Sequence, residues 1–557
     1  MSEYAFALDE RHMVFRLRTA REDLCSVFFF YADRADMSSE LPFTRVKMPL
    51  VRRDLLYDWY EYTLETSWQR IAYYFLLSDG KTECRYAGDQ FEKMSSPIER
   101  AEYFQYPFNH RADLMRVPDW AKEAVVYNIF PDSFADEEKR LSGKGRHCFW
   151  DGQRCDSTYG GTIGGIRKNL DHIRDLGCSC IYLNPVFAAG AYHKYDLLDY
   201  EHIDPCFGTE EDLALLVKEA HEKGIRILID GVFNHISRHH RFFRDVLEKG
   251  KASRYYSWFY DLPEPLKLPG EGEKPEYTCF SYVADMPKTD TSCRELSDYF
   301  CRIGAKWIRE YHVDGWRLDV ANELDDGFLR AFRRAVKAAD PNALIIGEVW
   351  ENAEHYLNGD MLDSAMNYDF RRFCTQFFAE GILTAEEFDL RISSLLMRYK
   401  KQAVYSQLNL LDGHDVSRFL SLCGGDRIKM EAALVFQMTF PGMPSIFYGD
   451  EKVMMGITEA EYRAPMQWES KDELEEIMRA LIRLRRSDPV FTEGGFETLR
   501  AEGGLYSYRR YTFSRSVRID INMGASPVFC PEGRRILLHK RCGSGLLLPG
   551  GYVISEE

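Results

Sequence analysis

The heptapeptide DGWRLDV, residues 314–320, places two charged side chains inside an apolar stretch. Arg317 and Asp319 are two positions apart, and side chains alternate between the faces of a strand, so both project the same way. The neighbours Trp316 and Leu318 favour a buried strand. A guanidinium beside a carboxylate favours the ionised carboxylate, the state that a nucleophile requires. The spacing therefore predicts a reactive Asp319 held by Arg317.

Two further carboxylates follow strand-like runs, Glu348 after LIIG and Asp415 in GHD. Each carboxylate alone is weak evidence for a catalytic site, because a strand-end acidic residue is commonly a helix cap or a turn residue. The apolar flank of Glu348 favours a protonated carboxyl, which is what a general acid requires. Two carboxyl groups in opposed environments are the working parts of glycoside hydrolysis. Asp319 and Glu348 are therefore candidates for that pair.

The elements that must position these residues are short apolar runs that alternate with helical patterns. The runs are AVVYNIF, CSCIYLNPVF, GIRILIDGVF, HVDGWRLDV, LIIGEVW, SAMNYDF, YSQLNLLDGHD and MPSIFYGDE. Repeated strand–helix units predict a parallel sheet, and about eight of them favour a closed (β/α)8 barrel, the TIM barrel of the α/β class. Such a barrel would bring all three carboxylates to its carboxyl-terminal mouth.

Three other regions do not follow this alternation. Residues 1–115 are rich in alternating aromatic strands and predict an N-terminal β-sandwich. Residues 236–296 are a Pro-, Gly- and aromatic-rich insertion after the third strand, in which Trp258 and Phe280 are equally candidates for core and for sugar platform. Residues 491–557 predict a small C-terminal all-β domain, which leaves 116–490 for the barrel.

Four motifs in this order, DGVFNH, DGWRLDVANE, GEVW and GHD, resemble the conserved regions of the α-amylase family of glycoside hydrolases (glycoside hydrolase family 13). HKYD and MPKTD are similar to the neopullulanase, cyclomaltodextrinase and maltogenic amylase subfamily. The N-terminal sandwich is similar to that subfamily's starch-binding-type module. The resemblance covers nearly the whole chain.

The resemblance implies a role for each residue that matches a family motif. Asp319 resembles the nucleophile, Glu348 the general acid/base, and Asp415 the carboxylate that holds sugar hydroxyls and stabilises the transition state. Five residues resemble substrate-binding positions: Arg317, His235, His414, Tyr195 and His193. Asp230 and Asn234 resemble structural rather than catalytic positions.

The sequence predicts no cofactor and no metal site. The pair His235 and His239 in HISRHH lacks the acidic residue of a zinc-binding HExxH helix. The loop ADEEKRLSGKG, residues 135–145, lacks the Asn- and Asp-rich run that binds calcium in some relatives. The stretch GGTIGG follows a polar segment rather than a strand, which disfavours a phosphate-binding loop.

Three function classes follow. The first is a retaining α-glucan hydrolase that acts on α-1,4 bonds, with α-1,6 bonds left open, in maltodextrins, cyclodextrins or pullulan, with transglycosylation. The second is a dedicated α-glucosyltransferase of the same fold, which the MPK marker disfavours. The third is a non-catalytic glucan-binding relative, which would be expected to lack one of the carboxylates.

Composition limits the partners. The chain has 557 residues and a net charge of −16, from 72 basic and 88 acidic side chains. That charge argues against a nucleic-acid or anionic-membrane partner. The 14 cysteines are scattered and form no CxxC pair, which favours the reducing cytoplasm. The subfamily resemblance implies a homodimer.

Overall fold

We analysed a computed structural model of the chain, and the structure describes residues 3–88, 90–93, 99–138, 141, 145–270, 272–530 and 535–557. The N-terminal part is a β-sandwich, as the aromatic alternation predicts. Its strands are β1 (Ala5–Ala7), β2 (His12–Ala20), β3 (Ser26–Asp33), β4 (Thr44–Met48), β5 (Leu50–Arg53), β6 (Tyr57–Glu65), β7 (Ile71–Ser78), β8 (Glu83–Ala87), β9 (Gln90–Glu92) and β10 (Phe104–Tyr106). One sheet has the order β1-β2-β6-β5 and the other β4-β3-β7-β8-β9, with β10 beside β7.

The sandwich is held to the barrel by a buried cation. Arg16 is buried, forms an ion pair of 2.8 Å with Glu61, and donates from Nη1 to the carbonyl oxygens of Met397 (3.0 Å) and Tyr399 (2.8 Å). Gln402 donates to the carbonyl oxygen of Ala7 at 2.9 Å. Because these contacts satisfy backbone acceptors of both the barrel and the sandwich, the sandwich is a docked domain rather than a loosely tethered one.

The next ten strands in chain order build the barrel and one hairpin. They are β11 (Val126–Ile129), β12 (Arg146–Trp150), β13 (Gln153–Ser157), β14 (Cys180–Leu183), β15 (Arg226–Gly231), β16 (Gly315–Leu318), β17 (Leu344–Gly347), β18 (Ser364–Ala365), β19 (Leu408–Leu410) and β20 (Met443–Phe447). The barrel order is β18-β17-β16-β15-β14-β11-β20-β19, all parallel. A single parallel bridge between Met366 and Leu408 joins the two ends. The predicted fold class is confirmed.

The helices lie between the barrel strands and cover their outer face. The α-helices are α1 (Pro131–Phe134), α2 (Ile163–Lys168), α3 (Leu170–Leu176), α4 (Glu210–Glu222), α5 (Arg241–Lys249), α6 (Arg294–Tyr311), α7 (Asp326–Ala339), α8 (Tyr368–Cys374), α9 (Ala385–Arg398), α10 (Lys401–Val404), α11 (Phe419–Leu422), α12 (Arg427–Thr439), α13 (Glu459–Tyr462) and α14 (Glu473–Ser487). The barrel strands are buried on both faces, which explains why their sequences are continuous apolar runs. The close approach of β16 and β17 requires Gly315, since a Cβ there would lie 2.1 Å from the carbonyl oxygen of Leu344.

The described part of the insertion after the third strand contains α5 and three short 3-10 helices, Gly250–Ala252, Tyr256–Trp258 and Phe280–Tyr282, joined by turns and irregular backbone. Trp258 is buried and packs edge-on against Phe242 at a ring distance of 4.7 Å, so it belongs to the core of this region. Phe280 instead stacks on His235 at 4.8 Å, at the edge of the barrel mouth. Of the two candidate platforms in the insertion, Phe280 is the one beside a predicted site residue.

The C-terminal part is an antiparallel sheet, as predicted. Its strands are β21 (Gly495–Glu502), β22 (Leu505–Tyr511), β23 (Ser516–Asn522), β24 (Val528–Phe529), β25 (Ile536–Gly543) and β26 (Leu546–Glu556). The order is β21-β22-β23-β26-β24, with β25 beside β26. This sheet packs on α12, where Tyr552 donates to Glu431 at 2.8 Å.

Candidate active site

Strand register brings the predicted residues together. Asp230 of β15 lies opposite Arg317 of β16, and Leu318 lies opposite Gly347 of β17. Asp319 and Glu348 each follow their strand by one residue, so they leave the barrel at the same level. Both keep the sheet pattern, because the Asp319 N–H donates to Gly231 O (3.0 Å) and the Glu348 N–H to Leu318 O (2.9 Å).

Arg317 is the centre of the cluster and is fully buried. Its Nη1 donates to Asp319 Oδ1 at 2.6 Å and to both oxygens of Asp230 at 2.9 and 3.0 Å. Its Nη2 lies 2.9 Å from Glu348 Oε2, in an ion pair that is not aligned as a hydrogen bond. One guanidinium therefore contacts three carboxyl groups. Asp319 lies at its Nη1 atom and Glu348 at its Nη2 atom, so the planar group fixes their relative positions.

The expectation that Arg317 holds the pKa of Asp319 low is wrong, although Arg317 does act in that direction. Burial raises the pKa of Asp319 well above its usual range, and the carboxylates of Glu348 and Asp230 raise it further, whereas Arg317 lowers it. Burial likewise raises the pKa of Asp230, against the opposing effect of Arg317. A lone cation cannot offset the desolvation of three carboxylates, so the cluster retains a proton more readily than free carboxyl groups do.

Glu348 is held by donors as well as by apolar neighbours. Its Oε2 accepts from the Val320 N–H at 2.9 Å, and its Oε1 accepts from the Trp350 indole N–H at 3.0 Å. The Trp350 ring stacks on Tyr368 at 3.8 Å and is 49% exposed. Glu348 is 6% exposed, and the half-exposed ring beside it forms one wall of the mouth.

The third predicted carboxylate lies in a second polar group, in the loop that follows β19. Asp415 Oδ2 lies 2.7 Å from His414 Nε2, and its Oδ1 accepts from Arg463 Nη2 at 3.1 Å. Tyr195 places its hydroxyl 2.6 Å from His414 Nε2 and 3.1 Å from Asp230 Oδ2, which links this group to the Arg317 cluster. Burial acts to raise the pKa of Asp415, but His414, Arg317 and Arg463 outweigh it and hold that pKa well below its usual range.

The two remaining histidines are kept neutral by burial. Burial lowers the pKa of His193 to about 4 and that of His235 to about 3. His193 accepts from the Tyr195 N–H at 3.0 Å, which fixes the turn between them. The Nε2 atom of His235 is buried and has no hydrogen-bond partner in the described part of the chain. Neutral imidazoles of this kind can exchange hydrogen bonds with uncharged hydroxyl groups.

The structure brings together all eight predicted site residues and adds others that the sequence did not reveal. Asp230, taken as structural, is the main partner of Arg317. Besides Asp415, Arg463 donates to three other groups: the His414 carbonyl oxygen (2.7 Å), Glu459 (2.6 Å) and the Tyr192 hydroxyl (3.1 Å). It lies in a loop after α13 and follows no strand, so no pattern identifies it. Ser133 supports that loop by donating to the Arg463 carbonyl oxygen at 2.6 Å.

The loop 135–145, for which no calcium site is predicted, falls partly on residues 139–140 and 142–144, which lie outside the described residues. In the part that is described, no group of three or more His, Cys, Asp or Glu side chains could hold a metal ion. Among the same residues, no helix is both long and apolar enough to cross a membrane.

Removal of divalent cations is expected to leave the enzyme unchanged. The loop 135–145 lacks the Asn- and Asp-rich run that binds calcium in some relatives, so chelator should alter neither the melting temperature nor the catalytic rate. Thermal melts and rate measurements with and without excess chelator provide the check, and recovery of a chelator-sensitive activity by added calcium would refute it.

A parallel barrel with paired carboxylates at its carboxyl-terminal mouth defines a (β/α)8-barrel enzyme equipped for nucleophilic and general-acid chemistry. Comparison with known proteins identifies the family. Residues 128–492 match the family described as "Alpha amylase, catalytic domain", and residues 1–110 match "Alpha amylase, N-terminal ig-like domain". The chain belongs to the α-amylase family of glycoside hydrolases.

Its relatives match it over most of their length. Neopullulanase 2 of Thermoactinomyces vulgaris is 39% identical over 527 residues, which are 93% of this chain and 89% of that protein. A cyclomaltodextrinase of Thermoanaerobacter pseudethanolicus is 37% identical over 523 residues, 93% of this chain and 90% of that protein. The solved structure of a cyclomaltodextrinase superimposes with a TM-score of 0.90 at 32% identity and covers 99% of this chain and 98% of its own.

Proposed function

We propose that this glycoside hydrolase is a retaining enzyme in which Asp319 is the nucleophile and Glu348 the general acid/base. The observation that carries the proposal is the contact of one buried guanidinium, Arg317, with both carboxyl groups, at 2.6 and 2.9 Å. A retaining enzyme needs its two carboxyl groups close together, because one of them attacks the sugar carbon directly.

The reaction has two steps. Glu348 gives its proton to the glycosidic oxygen while an Asp319 oxygen attacks the anomeric carbon, so the carbon–oxygen bond to the leaving chain breaks as the ester bond forms. Glu348, now ionised, then takes a proton from water, whose oxygen displaces Asp319 from that carbon. Two displacements on one carbon restore its original configuration.

The charge distribution of the site fits these roles. Three carboxyl groups around one guanidinium favour the retention of a proton, and a retained proton is what the first step consumes. Arg317 lies closer to Asp319 than to Glu348, 2.6 against 2.9 Å, and acts to lower the pKa of Asp319 against the effect of burial. Asp415, whose low pKa keeps it ionised, would accept hydrogen bonds from sugar hydroxyls and stabilise positive charge in the transition state.

The histidines of the site and Tyr195 are proposed to hold the sugar at the bond that is cleaved. His414 and His235 would hydrogen-bond its hydroxyls, and the buried Nε2 of His235 is available for such a bond. Tyr195 and His193 form the adjoining wall, with ring centroids 5.9 Å apart, and Tyr195 offers an aromatic face to the sugar.

The proposed substrates are α-glucan oligosaccharides: maltodextrins, cyclodextrins or pullulan, cleaved at α-1,4 bonds. The support is the names of the relatives, among them a cyclomaltodextrinase and a type III pullulan hydrolase from Thermococcus kodakarensis with a TM-score of 0.81 at 27% identity, covering 100% of this chain and 98% of its own. A product profile on cyclodextrin, pullulan, starch and maltotriose tests the proposal and decides whether α-1,6 bonds are also cleaved. Absence of hydrolysis on all four would contradict it.

Transglycosylation is proposed as a second outcome of the same intermediate. The half-exposed Trp350 ring stands beside Glu348 and gives a second sugar a surface to stack on, so that its hydroxyl can replace water in the second step. Transfer products longer than the substrate should therefore accumulate at high maltotriose concentration. Turnover of sucrose instead of maltotriose would favour the dedicated transferase, and binding without turnover would favour the non-catalytic relative.

The protein is further proposed to be a homodimer in which residues 1–115 of one copy shape the active site of the other. The proposed domains are the sandwich (1–115), the barrel (116–490) and the C-terminal sheet (491–557). Several apolar side chains on the sandwich are exposed, including Met37, Leu55 and Leu56. Contact with a second copy would cover such residues. The reducing cytoplasm is the proposed compartment, because all 14 cysteines are free and a relative in Bacillus subtilis is named intracellular maltogenic amylase.

Removal of residues 1–115 is expected to yield monomers and to raise activity on starch relative to cyclodextrin. The sandwich would otherwise narrow the cleft and exclude a bulky polymer. Light scattering of the intact chain and of the truncated chain gives the first check, and the starch-to-cyclodextrin ratio gives the second. A monomeric intact protein, or a lower ratio after truncation, would favour a tethered glucan-binding module instead.

A further inference from the structure

One fully buried lysine lies between two of the residues that are proposed to hold the sugar. Lys194 follows His193 and precedes Tyr195, and both of these neighbours are only partly buried. Its Nζ forms an ion pair with Asp204 Oδ2 at 2.8 Å, and Asp204 is fully buried as well. Because desolvation of both ions offsets their attraction, such a pair adds little net stability, whereas loss of one partner leaves a buried unpaired charge.

The ion pair joins three segments of backbone. Asp204 Oδ2 also accepts from the Ala189 N–H at 3.0 Å, and its Oδ1 accepts from the Cys206 N–H at 2.9 Å. Lys194 Nζ donates to the carbonyl oxygen of Asp156 in β13 at 2.8 Å. The loop that carries the sugar-holding residues is therefore tied to the hairpin of β12 and β13 at a single ammonium group.

The backbone at Lys194 adopts a conformation that its side chain does not favour. Its φ is 63°, in the left-handed region that residues other than glycine rarely adopt. The Lys194 N–H donates to the Ala191 carbonyl oxygen at 3.2 Å, and the Asp156 N–H donates to the Gly190 carbonyl oxygen at 2.9 Å, at the start of the same turn. Such a conformation persists only where its surroundings fix it. The contacts of the lysine ammonium with Asp204 and with the hairpin supply that constraint.

We propose that Lys194 is a positioning residue that holds the turn presenting His193 and Tyr195 to the sugar. It acts through the ion pair with Asp204 and the hydrogen bond to the hairpin, and its own ammonium is buried among protein groups and touches no sugar. The inference rests on the proposed role of Tyr195, whose hydroxyl lies 2.6 Å from His414 Nε2. A shift of the turn would move that hydroxyl, and small displacements beside the reacting atoms cost much of the rate.

Lys194→Met is expected to lower kcat/KM on maltotriose by about 10- to 100-fold, because the side chain keeps its length but loses the charge that holds the turn. The melting temperature should also fall, since Asp204 becomes a buried unpaired charge. Lys337→Met is the matched control. Lys337 Nζ likewise lies 2.8 Å from a buried carboxylate, that of Asp363, and donates to the Ala343 carbonyl oxygen at 2.6 Å. Any loss in this control should be confined to the melting temperature, with kcat/KM within about threefold of the parent protein.

Two combined variants separate positioning from stability. Asp204→Asn added to Lys194→Met removes the buried unpaired charge, so the melting temperature should rise above that of Lys194→Met, while kcat/KM stays about tenfold or more below the parent value. In a His193→Ala/Tyr195→Ala background, the further change Lys194→Met should lower kcat/KM by less than about threefold, because the side chains that the turn positions are already gone.

The outcomes distinguish the inference from the proposed function. Full activity of Lys194→Met, recovery of activity together with the melting temperature in Lys194→Met/Asp204→Asn, or an undiminished loss in the His193→Ala/Tyr195→Ala background would each overturn the positioning role alone. Full activity of His193→Ala/Tyr195→Ala would instead refute the proposed sugar contacts, and the positioning role with them.

Discussion

Asp319→Asn is expected to lower kcat by roughly 10⁴-fold or more on every α-glucan substrate, because an amide is not a nucleophile and no other residue can form the covalent intermediate. The substitution keeps the size of the side chain and an oxygen that can accept from Arg317 Nη1. We therefore expect the fold and the melting temperature to stay close to those of the parent protein. Initial rates on maltotriose and a thermal melt provide the measurement.

The pH dependence gives a second readout of the same carboxylate. The nucleophile must be ionised, so the rate falls as the pH drops through its pKa. Because burial raises the pKa of Asp319, the acidic limb should lie above the range of ordinary carboxyl groups. Asp325→Asn is the matched control, since the Asp325 side chain caps α7 by accepting from the Phe328 N–H at 2.9 Å. This variant should have the same kcat and the same acidic limb of the pH profile as the parent protein. Near-normal turnover by Asp319→Asn would show that Asp319 is not the nucleophile.

Glu348→Gln is expected to lower kcat/KM on natural oligosaccharides by about 10²- to 10⁴-fold, because a sugar leaving group needs a proton. The loss should nearly vanish for the glycosylation step of substrates with good leaving groups, such as α-maltosyl fluoride or nitrophenyl maltosides. Glu348 accepts from the Val320 N–H and from the Trp350 indole N–H with different oxygens, whereas a glutamine has a single oxygen to accept with. A thermal melt must therefore accompany the rate measurements. Comparison of the two substrate types is the measurement.

A matched glutamine substitution separates the chemical role from local disturbance. Glu351 lies three residues further on, is exposed and accepts from Asn322 at 2.9 Å, so Glu351→Gln should be close to wild type on both substrate types. Equal losses of Glu348→Gln on activated and natural substrates would argue that Glu348 is a binding group and not the acid.

The barrel could be predicted from the sequence because its strands are continuous apolar runs and each is buried on both faces. All eight runs contain a barrel strand. The hairpin of β12 and β13 was not predicted, because its strands RHCFW and QRCDS are mostly polar and partly exposed. The spacing of apolar residues and the composition of a segment therefore identify buried strands but miss polar, partly exposed strands such as β12 and β13.

The site residues that belong to recognisable motifs could be predicted from the sequence. Strand-end carboxylates can be read from the sequence because their strands are recognisable. Arg463 could not, because its contact with Asp415 joins segments 48 positions apart through an irregular loop. The pKa of Asp319 was predicted in the wrong direction, because the sequence shows the nearby Arg317 but not that Asp230 and Glu348 contact the same guanidinium, nor that burial outweighs the effect of Arg317.

The most direct test of the account is to trap the covalent intermediate. In Glu348→Gln, α-maltosyl fluoride can react with the nucleophile without an acid, while the missing base slows release of the sugar, so a maltosyl-enzyme should accumulate. Peptide mass spectrometry should find one maltosyl unit on the peptide that contains Asp319, and none when Asp319→Asn is added. A maltosyl unit on another carboxylate, or turnover of the fluoride to inverted product with no adduct, would contradict the account.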